Sequence, residues 1–246
     1  MLILKSDGIT GILDEKKLVA YFGKESYSLP KNSFIEPGDA IRVKNINFIV
    51  LKPDPMFYNE ISGRNTQAIL PLDSSYIVYS AGIFSGSHIL EAGAGTGSLS
   101  YSILRATGST GKLVTMDLNE NAIKIARANI EKFISINNWE TIKGDIRNDK
   151  LPDKYDAAIL DIPDPWNAVK NMRDHIKPGG YLITYSPNFN QAEKNVLVMK
   201  DEKFHILETV ELIKRNIIVR ENATRPDNNI IDHTAFITTG VRTSLS

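Results

Sequence analysis

Residues 89–100 read Ile89-Leu90-Glu91-Ala92-Gly93-Ala94-Gly95-Thr96-Gly97-Ser98-Leu99-Ser100. The pattern is that of a short buried strand, a glycine turn and the first turn of a helix. Glycines at 93, 95 and 97 permit a tight bend and let a ligand approach bare backbone. The N–H groups that follow sit at a helix N-terminus, where partial positive charge gathers. Such a turn can hold a nucleotide-like ligand. Its G-x-G-x-G spacing is not the G-x-G-x-x-G of a dinucleotide site, and taken alone it also suits a plain strand–helix connection.

Downstream of this turn, strand-like and helix-like stretches alternate. Leu113–Met116 is a second strand ending at Asp117. Asn119 and Glu120 open a helix with Ile123, Ala126, Ile130 and Phe133 on one face. Strands follow near Trp139–Lys143 and at Tyr155–Leu160, the latter ending at Asp161. Lys177-Pro178-Gly179-Gly180 reads as a turn into a fifth strand, Tyr181–Tyr185. A helix near 190–200 and strands over roughly 204–213 and 231–239 close the chain. Upstream, Asp73 is placed to cap a helix through Ile77–Ser80. This alternation predicts an α/β, doubly wound, mostly parallel sheet whose ligand lies outside the carboxyl ends of the strands.

Residues 1–58 differ. Short apolar runs (Lys17–Phe22, Ala40–Val43, Asn47–Leu51) are separated by Asp7-Gly8, Pro37-Gly38-Asp39 and Pro53-Asp54-Pro55, which predicts a small all-β domain ahead of a 59–246 domain. It suits either substrate positioning or oligomerisation.

Composition removes several function classes. The 246 residues carry 29 basic and 29 acidic side chains and no cysteine. Disulfides, thiolate metal sites and cysteine nucleophiles are therefore excluded. No metal-ligand spacing occurs. A nucleic-acid partner needs a local basic patch, and Lys214, Arg215, Arg220 and Arg225 offer a modest one. No apolar run approaches a membrane span and the N-terminus is too polar for a signal peptide, so a cytoplasmic protein without a membrane partner is expected.

Four acids fall at predicted strand ends: Glu91, Asp117, Asp145 and Asp161. Asp117 is placed to accept hydrogen bonds from both hydroxyls of a ribose. Asp145 can reach an adenine amino group, and Glu91 can hold the outgoing turn or meet an ammonium. Any one of them is equally a helix cap or a solvated acid, but four in the order of one sheet describe a nucleoside site. The glycine spacing and the lack of a second set of matching βαβ units disfavour a nicotinamide cofactor. S-adenosylmethionine fits better, with a ribose, an adenine and an amino acid end but no phosphate, so the glycine turn needs no lysine. Further on, Leu160-Asp161-Ile162-Pro163-Asp164-Pro165-Trp166 combines an acid, two prolines that hold the backbone extended and a flat aromatic wall. This equipment suits a flat base with an exocyclic amino group. Its plainer reading is a rigid loop over a core tryptophan.

Together with Arg64-Asn65-Thr66-Gln67, Gly144-Asp145-Ile146, Tyr185-Ser186-Pro187-Asn188 and His233-Thr234, these motifs resemble the tRNA adenine-N1 methyltransferases that modify the T-loop, which are class I S-adenosylmethionine-dependent enzymes. The resemblance spans about residues 60–246. It implies that Gly93, Gly95, Gly97, Ser98 and Leu99 line the methionine end of the cofactor, with Gln67 and Glu91 near. Asp117 would hold the ribose and Asp145 the adenine, with Leu118 and Ile146 also contacting the cofactor. Asp161 would be the active-site acid touching both ligands. Tyr185 would help hold the target base, with Pro163 and Trp166 on the substrate side; His233 suits either a structural hydrogen bond or a place near the substrate. A homotetramer acting on tRNA is also implied. One departure is Leu70-Pro71-Leu72-Asp73, where the family often has Tyr-Pro-Lys-Asp. The alternatives are a methyltransferase of another substrate and a non-catalytic tRNA-binding subunit of the same fold.

Overall fold

The computed structural model describes residues 1–31, 33–61, 68–228 and 233–244. Six strands form an antiparallel sheet near the N-terminus: β1 (Leu2–Ser6), β2 (Ile9–Asp14), β3 (Val19–Phe22), β4 (Glu25–Ser28), β5 (Ala40–Val43) and β6 (Ile46–Leu51), in the order β4-β3-β2-β1-β6-β5. Three of its hairpins have two-residue turns, with Ser6 opposite Ile9, Phe22 opposite Glu25 and Val43 opposite Ile46. Gly8, Gly23 and Lys44 take positive φ there, as the twist of a two-residue hairpin demands. Leu2, Leu4, Leu13, Phe48 and Val50 fill the small core.

Helix α1 (Pro55–Ile61) leads out of this sheet and α2 (Pro71–Ser80) follows. Then come β7 (His88–Ala92), α3 (Ser98–Thr107), β8 (Lys112–Asp117), α4 (Glu120–Ile130), β9 (Trp139–Lys143), β10 (Tyr155–Leu160), α5 (Val169–His175), β11 (Ile176–Ser186), α6 (Phe189–Asp201), β12 (Phe204–Glu211), β13 (Ile217–Ile218), β14 (Arg225–Pro226) and β15 (Phe236–Arg242). The main sheet runs β12-β15-β11-β10-β7-β8-β9. Strands β7 to β11 pair in parallel, and the last strand, β15, is antiparallel to both of its neighbours. Successive strand residues face opposite ways, so Ile89, Leu113, Ile159 and Ile183 enter one core while Leu90, Val114, Leu160 and Leu182 enter the other. Both faces of the central strands are largely apolar, so these strands read as hydrophobic runs interrupted by single polar residues such as Glu91 and Thr115. The chain moves outward from β7 to β9, then returns to β10 on the other side. The crevice opens where the direction reverses, between β7 and β10.

Three sequence expectations need correction. Asp73 does not cap α2. Leu70 occupies that position, Pro71 starts the helix with a fixed φ, and Asp73 sits buried in the first turn. Lys177–Gly180 is not a turn before a strand but an irregularity within β11, since two steps along β10 (Tyr155 to Ala157) match five along β11 (Ile176 to Tyr181). The closing strands end at Glu211 and begin at Phe236, while residues 229–232 lie outside the described part. The sequence reading also passed over α5 and the small β13–β14 ribbon.

The border expected after residue 58 falls inside α1, which joins both parts. Lys5 of β1 meets Glu60 at 2.7 Å. On the other side Tyr58 is buried, stacks on Tyr101 with ring centroids 5.1 Å apart, and donates a 2.8 Å hydrogen bond to the Thr96 carbonyl inside the glycine turn. Replacing Tyr58 with alanine removes an aromatic anchor from the core. We expect urea unfolding to show a loss of about 3–5 kcal/mol, against about 1 kcal/mol for Tyr58→Phe, which loses only the hydrogen bond.

Candidate active site

The glycine turn closes on the end of β10. Gly93 has φ +96, and a Cβ built on it would lie 2.1 Å from the carbonyl oxygen of Asp161. Only glycine fits there. On either side, the Asp161 N–H donates to the Ala92 carbonyl (2.9 Å) and the Gly93 N–H to the Met116 carbonyl (3.0 Å), joining the ends of three strands. Gly97, at φ +88, starts α3, and a Cβ there would press on Ile130 and the Tyr58 hydroxyl at 3.0 Å. Gly95, at φ +49, has open space around it. Ser98 and Leu99 turn their side chains inward: Ser98 Oγ donates to the Ile69 carbonyl (2.9 Å) and Leu99 joins the core. Only their backbone is available at the turn. Gln67 lies outside the described residues.

A cleft opens over these strand ends. Gly93, Asp117, Leu118, Asp145, Ile146, Asp161 and Pro163 line it, as do Met116, Gly144, Arg147, Ile162 and Asp164. Asp117 spans the turn: Oδ2 accepts from the Ala94 N–H (2.8 Å) and Oδ1 from the Asn119 N–H (2.7 Å). Asp145 is held by Arg147, whose Nε and Nη2 donate to its two oxygens at 2.7 and 2.9 Å. The third arm of the same guanidinium, Nη1, reaches Asp164 at 2.9 Å. This fork holds the Asp145 carboxyl below its usual range. Sequence reading missed Arg147. Its only local signal was a basic residue two positions after a strand-end acid.

The remaining acids are less compensated. Glu91 is buried beneath the turn and does not line the cleft. Its Oε2 accepts from Ser100 Oγ (2.5 Å) and Thr115 Oγ1 (2.7 Å), while Oε1 is buried with no partner among the described residues. These bonds tie it to Ser100 of α3 and Thr115 of β8. Burial pushes its carboxyl up to about 7, against the two hydroxyl donors. Asp161 is pushed up to about 7 as well, by burial and then by the charge of Asp117.

The expected base-holding residues are spread more widely. Pro163 is exposed at the cleft. Tyr185, at the end of β11, donates its hydroxyl to Asp73 at 2.8 Å. Trp166 sits in a 3₁₀ turn, Pro165–Asn167, with Lys194 Nζ of α6 4.1 Å from its ring, and is not among the residues lining the cleft. His233 is exposed, bonded through Nδ1 to Glu211 and through Nε2 to the Pro187 carbonyl (2.8 Å). Both ring nitrogens face acceptors, and the Glu211 carboxylate and then the Pro187 carbonyl raise its pKa.

A glycine turn at the sheet's switch point, an acid on the second strand and an apolar-edged cleft without a phosphate-binding lysine define an S-adenosylmethionine-dependent methyltransferase. The chain belongs to the family described as the GCD14 subunit of the tRNA methyltransferase complex, whose model matches residues 47–239. A relative from Methanocaldococcus jannaschii, named tRNA (adenine(57)-N(1)/adenine(58)-N(1))-methyltransferase TrmI, is 30% identical over 91% of this chain and 88% of its own length. Among solved structures, an S-adenosylmethionine-dependent O-methyltransferase from Thermotoga maritima is 26% identical with a TM-score of 0.88, covering 100% of this chain and 93% of that one. A tRNA (m1A58) methyltransferase TrmI from Aquifex aeolicus shares the fold, with a TM-score of 0.77 at 22% identity over 95% of this chain and 99% of its own.

Two outcomes follow. Gly93→Ala must displace the Asp161 backbone, so calorimetry should show S-adenosylmethionine binding lost while circular dichroism still shows a folded α/β chain. For stability, Glu91 and Asp161 keep a proton in the folded chain that the unfolded chain releases, from their ordinary values of 4.5 and 3.8 up to about 7. Their contribution therefore declines as pH rises through that window and is level above it. Urea unfolding between pH 5 and 8 should decline less steeply in Glu91→Gln, by at most about 1.4 kcal/mol per pH unit.

Proposed function

We propose that the chain transfers a methyl group from S-adenosylmethionine to N1 of an adenosine in the T-loop of tRNA. The target would be position 58, with the adjacent position 57 as a second, as both occur in the archaeal relative's name. The observation that carries this reading is Asp161. Its backbone is locked against Gly93, and its carboxyl stands among acids at the cleft with no cation bonded to it among the described residues. The cofactor supplies a methyl group on a positively charged sulfur and departs as a neutral thioether, so no acid is required. Asp161 accepts a hydrogen bond from the adenine N6 amino group and favours the positive charge that N1-methylation brings to the base. Its contribution is orientation and charge stabilisation in a partly dehydrated site. The target base must leave its stack to enter the cleft, against Pro163 and Tyr185.

The same reading takes the chain as a cytoplasmic homotetramer, with residues 1–58 positioning substrate or joining copies. The β13–β14 ribbon supports an extended RNA-facing or copy-facing surface. It exposes Ile213, Ile217 and Val219 beside Lys214, Arg215, Arg220 and Arg225.

The test uses methyl-labelled S-adenosylmethionine and an unmodified tRNA transcript, followed by digestion and nucleoside analysis. N1-methyladenosine is the expected product. Labelled product of another kind would favour a different substrate class, such as the O-methylation named for the Thermotoga structure. Cofactor binding without any product would favour a non-catalytic subunit. Asp161→Asn should lower turnover about 100-fold with cofactor binding retained. Because the carboxylate is the working form, kcat/KM of the wild type should rise with pH through about 7, and Asp161→Asn should lack that limb.

A further inference from the structure

Asp73 is a buried acid that the transfer of a methyl group leaves unused. It is 1% exposed in the first turn of α2, where Leu70 holds the capping position. Instead Oδ2 accepts a 2.8 Å hydrogen bond from the Tyr185 hydroxyl, 112 residues away in sequence. Tyr185 stands at the carboxyl end of β11. Because Leu160 pairs with Thr184, Asp161 and Tyr185 are the next residues on adjacent strands, and the Asp161 charge reaches the phenol. A phenol has one proton to give. Here it goes to a carboxylate, the stronger kind of acceptor, so the hydroxyl cannot also donate to a substrate. The bond fixes the tip of a side chain with two rotatable bonds, and with it the plane of the ring.

We propose that Asp73 is a positioning residue that pins the Tyr185 ring beside Asp161, so that the ring face, not the hydroxyl, meets the target base. This rests on the reading of Asp161 and Tyr185 as the base site. Burial, then the charge of Asp73 and the bond to it, raise the phenol's pKa, which gives the pairing a signature separate from turnover.

Four variants test it: Asp73→Ala, Asp73→Asn, Tyr185→Phe and the Asp73→Ala/Tyr185→Phe double. Each is assayed for tRNA turnover, for S-adenosylmethionine binding by calorimetry, and for phenol ionisation by NMR of 13C-labelled tyrosine, Tyr185→Phe assigning the signal. Asp73→Ala should lower kcat/KM for tRNA about tenfold. It should leave cofactor affinity within about twofold and shift the Tyr185 ionisation to lower pH. Asp73→Asn keeps an acceptor and should restore most of the turnover. The double variant should lose no more than the worse single one, because the two residues act as a unit. Wild-type turnover in Asp73→Ala, losses that multiply in the double variant, or an unmoved phenol would each overturn the proposal. A wild-type chain that binds cofactor yet leaves tRNA unmethylated overturns the base-site reading, and this proposal with it. An active wild type with indifferent variants overturns this proposal alone.

Discussion

The bare Cα of Gly93 against the carbonyl of Asp161 is the constraint on which the site depends. A methyl group at that point would sit 2.1 Å from the oxygen, well inside any van der Waals contact. Two backbone hydrogen bonds, Asp161 to Ala92 and Gly93 to Met116, hold the approach from both sides. The ends of β10, β7 and β8 are thereby fixed to one another. Asp161, the glycine turn and Asp117 then share one cleft without relying on flexible side chains.

Around this contact the chain gathers negative charge with little compensation. Glu91 and Asp161 are both pushed up to about 7, and Asp117 adds to the repulsion on each. Keeping such acids close costs folding free energy. The cost is consistent with a site built for a cationic ligand, since the sulfonium and ammonium of S-adenosylmethionine would relieve it. Arg147 marks the limit of this field. It bonds both Asp145 and Asp164, tying the loop after β9 to the loop after β10, while Asp161 has no cation bonded to it among the described residues.

Much of the site was legible in the sequence because its signals are local. A glycine turn between a strand and a helix, and an acid at the end of each strand, follow from spacing and period alone. The rest needed contacts between distant positions. Asp73 reads as a helix cap until Tyr185 is found on it. Trp166 reads as a wall for the base until the 3₁₀ turn lays its ring under Lys194. Serine and leucine after the third glycine read as ligand contacts, yet helix α3 rotates both side chains into the core. Rotation about a helix axis and the partner of a buried acid are not properties of any one segment.

The sequence by itself determined the doubly wound sheet, the place of its crevice and the kind of molecule that fits there, because hydrophobic period and strand-end chemistry are written within a few residues. Tertiary structure decided which acids stay uncompensated, which are clamped, and which aromatic stands beside Asp161. Those outcomes depend on Arg147, Asp73 and Tyr185 meeting residues that the chain order keeps apart. Burial and charge pairing, unlike periodicity, exist only once the strands have been brought side by side.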